Sequence, residues 1–140
     1  LPLTAHVPEQ YLEDLNERLA LYQRISSIDS AAGVASMQEE LRDRFGPVPP
    51  SVENLLYISL VKSLGRRAQV EAIKTDEHMI HLYVRGGTTD DQRLNVKALK
   101  YGEHVLVGPN QVRIDRIGAG TNWMPLVARV LRVMVEAAAK

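Results

Sequence analysis

At 140 residues, with 45% apolar and 24% charged side chains, the chain has the size and composition of one ordinary globular domain with a proper core. Lys plus Arg and Asp plus Glu each number 17, so no bulk charge draws the chain to nucleic acid or anionic lipid. The absence of cysteine excludes a disulfide scaffold, a thiolate metal site and a cysteine nucleophile. No apolar run approaches the roughly 20 residues that span a bilayer. The start, Leu1-Pro2-Leu3-Thr4, lacks an initiator Met, a basic region and a long apolar stretch, which argues against a signal peptide. The expectation is a cytoplasmic fragment of a larger multidomain protein.

The first half reads as three helices. Pro8 suits a first helical turn, and Tyr11, Leu12, Leu15, Leu19, Tyr22 and Ile25 then recur at spacings of three and four as one apolar stripe. Arg18 falls inside that stripe, where a guanidinium must be paired or must snorkel. Asp29 or Ser30 can cap a second helix whose apolar face is Val34, Met37, Leu41 and Phe45, with Glu39, Glu40 and Asp43 off that face. Gly46-Pro47 stops it. Pro49-Pro50-Ser51 opens a third helix, apolar around most of its circumference through Val52, Leu55, Leu56, Ile58, Leu60, Val61 and Leu64, and so expected to be deeply buried.

From about residue 69 the period changes. Val70, Ala72 and Lys74, and then Ile80, Leu82 and Val84, alternate with their neighbours as strands do, and Gly86-Gly87 closes the second run. Asp90 or Asp91 can cap a short helix carrying Leu94, Ala98, Leu99 and Tyr101, ended by Gly102. Val105 and Val107 lead through Gly108-Pro109-Asn110 to Val112 and Ile114, a hairpin. Thr121 is placed to cap a last helix with Leu126, Val127, Val130, Leu131 and Met134 on one face and Arg129, Arg132 and Glu136 off it. The fold class is α+β: a three-helix unit, then a small, mostly antiparallel sheet with a short helix and a C-terminal helix. Residues 1–140 are read as a single domain with a helical part over 6–67 and a sheet-plus-helix part over 69–140.

Little in the chain points to chemistry. His6, His78, His81 and His104 include no i, i+4 pair, and His78 and His81 on one strand point to opposite faces, so no metal site is expected and the histidines read as solvent-facing. There is no G-x-x-x-x-G-K-[ST] phosphate cradle and no G-x-S-x-G elbow. Gly118-Ala119-Gly120 reads as a plain loop before a helix. The paired carboxylates Glu39/Glu40 and Asp90/Asp91 are adjacent in sequence and do not face each other across a substrate. The fragment is expected to be non-catalytic and to need no cofactor.

The first half is recognisable. Val7-Pro8-x-x-Tyr11, then Asp14-Leu15-Asn16-Glu17-Arg18-Leu19-Ala20-Leu21-Tyr22, then Glu40-Leu41-Arg42-Asp43-Arg44-Phe45-Gly46-Pro47-Val48-Pro49 and Asn54-Leu55-Leu56 occur in fixed order. This resembles the C-terminal domain of the bacterial transcription-repair coupling factor (Mfd/TRCF) family, whose corresponding stretches read approximately I-P-x-x-Y, R-L-x-x-Y-x-R and E-L-x-D-R-F-G-x-x-P. The likeness covers residues 6 to about 70, with Val7 for the usual Ile and Gln23 where Lys is common. It implies a regulatory domain of an ATP-hydrolysing DNA translocase that acts on stalled RNA polymerase and double-stranded DNA and recruits UvrA. In that family the domain clamps onto an N-terminal UvrB-like module and hides the UvrA-binding surface. The partner surface is expected to be rich in Arg, which directs attention to Glu40, and beside it Glu39, Asp43 and Arg44. Arg18, Tyr22, Phe45 and Gly46 read as architectural, with Arg18 expected to pair with a carboxylate such as Asp43. A DNA-contacting module is the alternative, with Lys62, Arg66, Arg67, Arg129 and Arg132 as its basic residues.

Overall fold

The computed structural model describes residues 1, 3–100, 104–117 and 123–138. In chain order its elements are α1 (Leu15–Ser26), α2 (Ala31–Phe45), α3 (Pro50–Arg67), β1 (Val70–Thr75), β2 (Met79–Val84), α4 (Asp90–Ala98), β3 (Val105–Val107), β4 (Gln111–Asp115) and α5 (Trp123–Ala138). This is the expected α+β order, helices first and an antiparallel sheet after them. The chain divides into two compact units, residues 2–63 and residues 64–140 with residue 1, and the division falls inside α3.

The helical unit is set by its caps. Asp14 accepts the Glu17 N–H at 3.0 Å and starts α1; Ser30 accepts the Gly33 N–H at 3.0 Å and starts α2. Gly46 ends α2 with φ of 84°, a left-handed conformation that only glycine adopts cheaply, and its N–H returns to the Arg42 carbonyl at 3.0 Å. The core gathers Val7, Leu12, Leu21, Ile25, Ile28, Met37, Leu41, Val52 and Leu56, with Tyr11, Tyr22, Val34 and Phe45 packed against it. Tyr22 also holds the entering chain, its hydroxyl accepting the Val7 N–H at 2.7 Å.

The expected stripe on α1 needs correction. Pro8 begins a turn, not the helix: its carbonyl accepts the N–H groups of Tyr11 and Leu12. The helix starts seven residues later, and that phase turns Leu21 and Ile25 inward while leaving Leu15 and Leu19 58% and 52% exposed. Arg18 makes no ion pair with Asp43 either. Its guanidinium donates to the carbonyls of Leu12 and Glu13, at 2.9 and 2.7 Å, satisfying the turn that leads into the helix.

In the second unit the strand order is β1-β2-β4-β3, antiparallel throughout, with a register shift between Val70 and Ala72. Ile80, Leu82, Val84, Val112, Ile114 and Val105 are buried on one face. Leu126, Val127, Val130, Leu131 and Met134 of α5 are buried as well, the face expected from the sequence. Gly87, with φ of 91°, lies so close to the β3–β4 turn that a Cβ there would meet the Pro109 carbonyl oxygen at 2.9 Å. Helix α4 departs from expectation. Thr89, not Asp90 or Asp91, caps it in a box with Gln92, and Leu94 is 64% exposed while Gln92 and Val96 are the buried residues. The expected ends at Tyr101-Gly102 and the Thr121 cap lie outside the described residues.

Gln92 is only 1% exposed, and its side-chain amide donates to the carbonyls of Ala68 at 3.0 Å and Met134 at 3.5 Å. Gln92→Ala removes both bonds and half of the capping box, so it should cost about 1–3 kcal/mol of stability. Thermal or denaturant unfolding of the two proteins measures this.

Candidate functional site

The signature segment of α2 meets α1 at a charged cluster. Glu40 leaves the Met37/Leu41 face of α2, as its spacing requires, and reaches Arg24 on α1. The guanidinium donates twice, at 2.5 and 2.8 Å, and Arg44, one turn along α2, adds an ion pair at 3.7 Å. Hydrogen bonding from Arg24 holds the Glu40 carboxyl below its ordinary pKa, with the charges of Arg24 and Arg44 acting in the same direction. The Arg44 guanidinium also sits 4.9 Å from the centre of the Phe45 ring, and that ring meets Tyr11 edge-on at 5.6 Å.

Beside this cluster lies a shallow groove of about 120 Å³. Leu12, Leu21, Leu41 and Phe45 give it an apolar lining, and Glu17, Arg24 and Arg44 supply charge. Glu39 and Asp43 project from α2 into solvent with no side-chain partner among the described residues. The arrangement is a mixed-charge surface with an apolar recess. Among the described residues it brings together no nucleophile with a base and no group of three metal-ligating side chains.

A family model described as the TRCF domain matches residues 1–94. The chain belongs to the TRCF domain family. It is 30% identical over 138 residues to the transcription-repair-coupling factor of Bacillus subtilis (strain 168), an alignment covering 93% of this chain and 12% of that protein. Over 64 residues it is 41% identical to the transcription-repair-coupling factor of Haemophilus influenzae, covering 46% of this chain and 6% of that protein. A solved structure, the crystal structure of the C-terminal domain of transcription-repair coupling factor, matches with a TM-score of 0.78 and 25% identity over 99% of this chain and 91% of that one. The chain thus spans about an eighth of the length of the Bacillus relative.

The other residues of this TRCF domain singled out from sequence are spread over both units. Lys62 is exposed on α3 in the helical unit; Arg66 and Arg67, exposed at the end of the same helix, and Arg129 and Arg132, exposed on α5, belong to the second unit. Tyr22, Phe45 and Gly46 serve the packing and capping already described. Arg24 is the residue that sequence reasoning passed over. It stands where the family pattern R-L-x-x-Y-x-R has its last Arg, but a pair across two helices has no sequence spacing to reveal it. His81 is also not solvent-facing: its side chain is 18% exposed and lies on β2 between Asp76 and Gln111.

Because the folded carboxyl of Glu40 titrates below the unfolded one, its pairing stabilises the fold above the ordinary Glu range, near pH 4.3, and that contribution is lost as pH falls through the folded value. The pair is exposed, so the effect is small and weakens with salt. Thermal unfolding against pH should show wild type exceeding Glu40→Gln at neutral pH, with the gap closing in acid.

Proposed function

We propose that this domain is a non-catalytic regulatory module of an ATP-driven DNA translocase that couples transcription to nucleotide-excision repair. On this reading it docks on the N-terminal UvrB-like module of the same protein and masks the surface that binds UvrA. The parent protein is read as engaging stalled RNA polymerase and double-stranded DNA. The observation that supports docking most directly is the mixed-charge outer surface of α2, where Glu39, Glu40 and Asp43 stand among Arg42 and Arg44. Glu40 is held by Arg24 and Arg44, two residues that line the groove, and Glu39 and Asp43 lie exposed on the same helix. A surface of that kind complements an Arg-rich partner without any burial of unpaired charge.

The energetic demand is low. A tethered partner is present at an effective concentration of roughly 1 mM, so a contact with a Kd of about 10 μM stays closed about 99% of the time. One charged contact of modest strength is then enough to tip the balance between closed and open.

Titration of the domain into the separately expressed UvrB-like module tests this. Binding should saturate with Kd near 10⁻⁵ M, roughly the strength the clamp requires, and Glu40→Ala should weaken it about tenfold or more. Arg24→Ala breaks the tie between α1 and α2 but keeps the Glu40 carboxylate, so it should leave binding unchanged or tighten it. Equal loss in both variants would assign the effect to that tie. Absence of saturation at about 10⁻⁴ M would overturn the docking reading.

A further inference from the structure

The sheet has a second face. Directly opposed residues of antiparallel strands share a face, so the register places Lys74, His81, Arg113 and Leu106 in one row across β1, β2, β4 and β3. The next row is Ala72, Tyr83 and Gln111. This face lies opposite the one carrying Ile80, Leu82, Val112 and Ile114, because successive side chains on a strand alternate.

Two features set it apart from an ordinary solvated face. First, His81 and Tyr83 present a pair of nearly parallel rings on a central strand, with centroids 5.9 Å apart and planes 16° from each other. The imidazole cannot swing away. Its Nε2 is 3.0 Å from Asp76 Oδ2 and its Nδ1 is 3.0 Å from Gln111 Oε1, so both in-plane positions are occupied and the imidazole is fixed beside the Tyr83 ring. Asp76 is fixed in turn by the N–H groups of His78 and Met79, at 2.9 and 2.7 Å. Second, the cations on either side of this pair, Lys74 and Arg113, are exposed and have no side-chain partner among the described residues. Acids nearby are engaged: Asp76 by His81, and Asp115 by the Ile117 N–H and His104.

Lys74 and Arg113 stand on either side of one ring, and because the Asp76 and Asp115 carboxylates are held by other groups, both cations remain open to an anion settled over the row. Aromatic rings on a sheet face stack bases, and cations flanking them meet the phosphates between those bases. We propose that this face binds a short stretch of single-stranded DNA, with a base on the Tyr83 ring, which His81 braces, and phosphates at Lys74 and Arg113. It is a different surface from the α1–α2 cluster and from the basic residues of α3 and α5. It asks for no net positive charge, because the two cations are local to the rings.

Fluorescence anisotropy of a labelled oligodeoxythymidylate titrated with this chain tests the proposal. Saturable binding at or below about 10⁻⁴ M is expected, with a log–log salt slope of about −1.4 for two phosphate contacts. Tyr83→Ala should weaken binding about tenfold, while Tyr83→Phe, which keeps the ring, should not. The paired substitutions Lys74→Glu and Arg113→Glu, both at exposed positions, should abolish the salt slope, and Arg66→Glu with Arg67→Glu should leave affinity within about twofold. The proposal is overturned by failure to saturate, by Tyr83→Ala or the Lys74/Arg113 pair having no effect, or by loss of binding in the Arg66/Arg67 variant instead. Binding of an oligouridylate RNA without binding of the DNA also overturns it.

Discussion

The second unit depends on one buried amide. Helix α3 ends at Arg67, and Gln69 turns the chain with a φ of 67°, so the Ala68 carbonyl has no helical partner. Gln92 supplies it from α4, using the same side chain that closes the Thr89 capping box, and reaches the Met134 carbonyl of α5 as well. Three segments are therefore registered by one residue, in a site too dry to leave any of those groups unpaired. The sheet then inherits its position from the chain on either side: β1 begins two residues after Ala68, and the Arg85 N–H past the end of β2 donates to the Gln69 carbonyl at 2.8 Å.

That dependence explains what could be read in advance and what could not. Helix α5 was legible because its inward face is a long uninterrupted apolar stripe, and β2 and β4 because strict alternation admits only one register with one face buried. Helix α4 was not. Its buried side is a glutamine and a valine, so apolar counting favoured Leu94, which solvent surrounds. Polar burial is decided by partners elsewhere in the chain, and no local pattern announces them. The first helix failed for a related reason. Pro8 and the Leu12 side chain look helical by spacing, yet the segment before Asp14 is a turn whose carbonyls are taken by Arg18.

The candidate site divides in the same way. That Glu40 leaves the core face follows from its helical phase, and its pairing with Arg44 from the i, i+4 rule. The bidentate partner does not follow, because Arg24 lies 16 residues earlier on another helix. The pair of rings on the sheet was equally hidden. Phe, Trp and Tyr make up only 5% of the chain, and it takes the strand register to place Tyr83 and His81 on one face with Lys74 and Arg113.

An acid already held by an arginine is suited to reversible docking. If a partner's guanidinium replaces Arg24 at Glu40, one charge-assisted pair is exchanged for another, and the number of hydrogen bonds to the carboxylate is unchanged. The net gain is then a difference between two similar terms, as is usual for exposed ion pairs. It stays at about 1.4 kcal/mol, the equivalent of a tenfold change in Kd, well below the strength of either pair alone. A free carboxylate in the same place would gain the whole interaction and bind more tightly, and a buried one would have to be desolvated first. For a tethered module that must close most of the time and still open, the small difference is the useful quantity. On the docking reading, Arg24 keeps Glu40 oriented and ionised while limiting how strongly any partner can hold it.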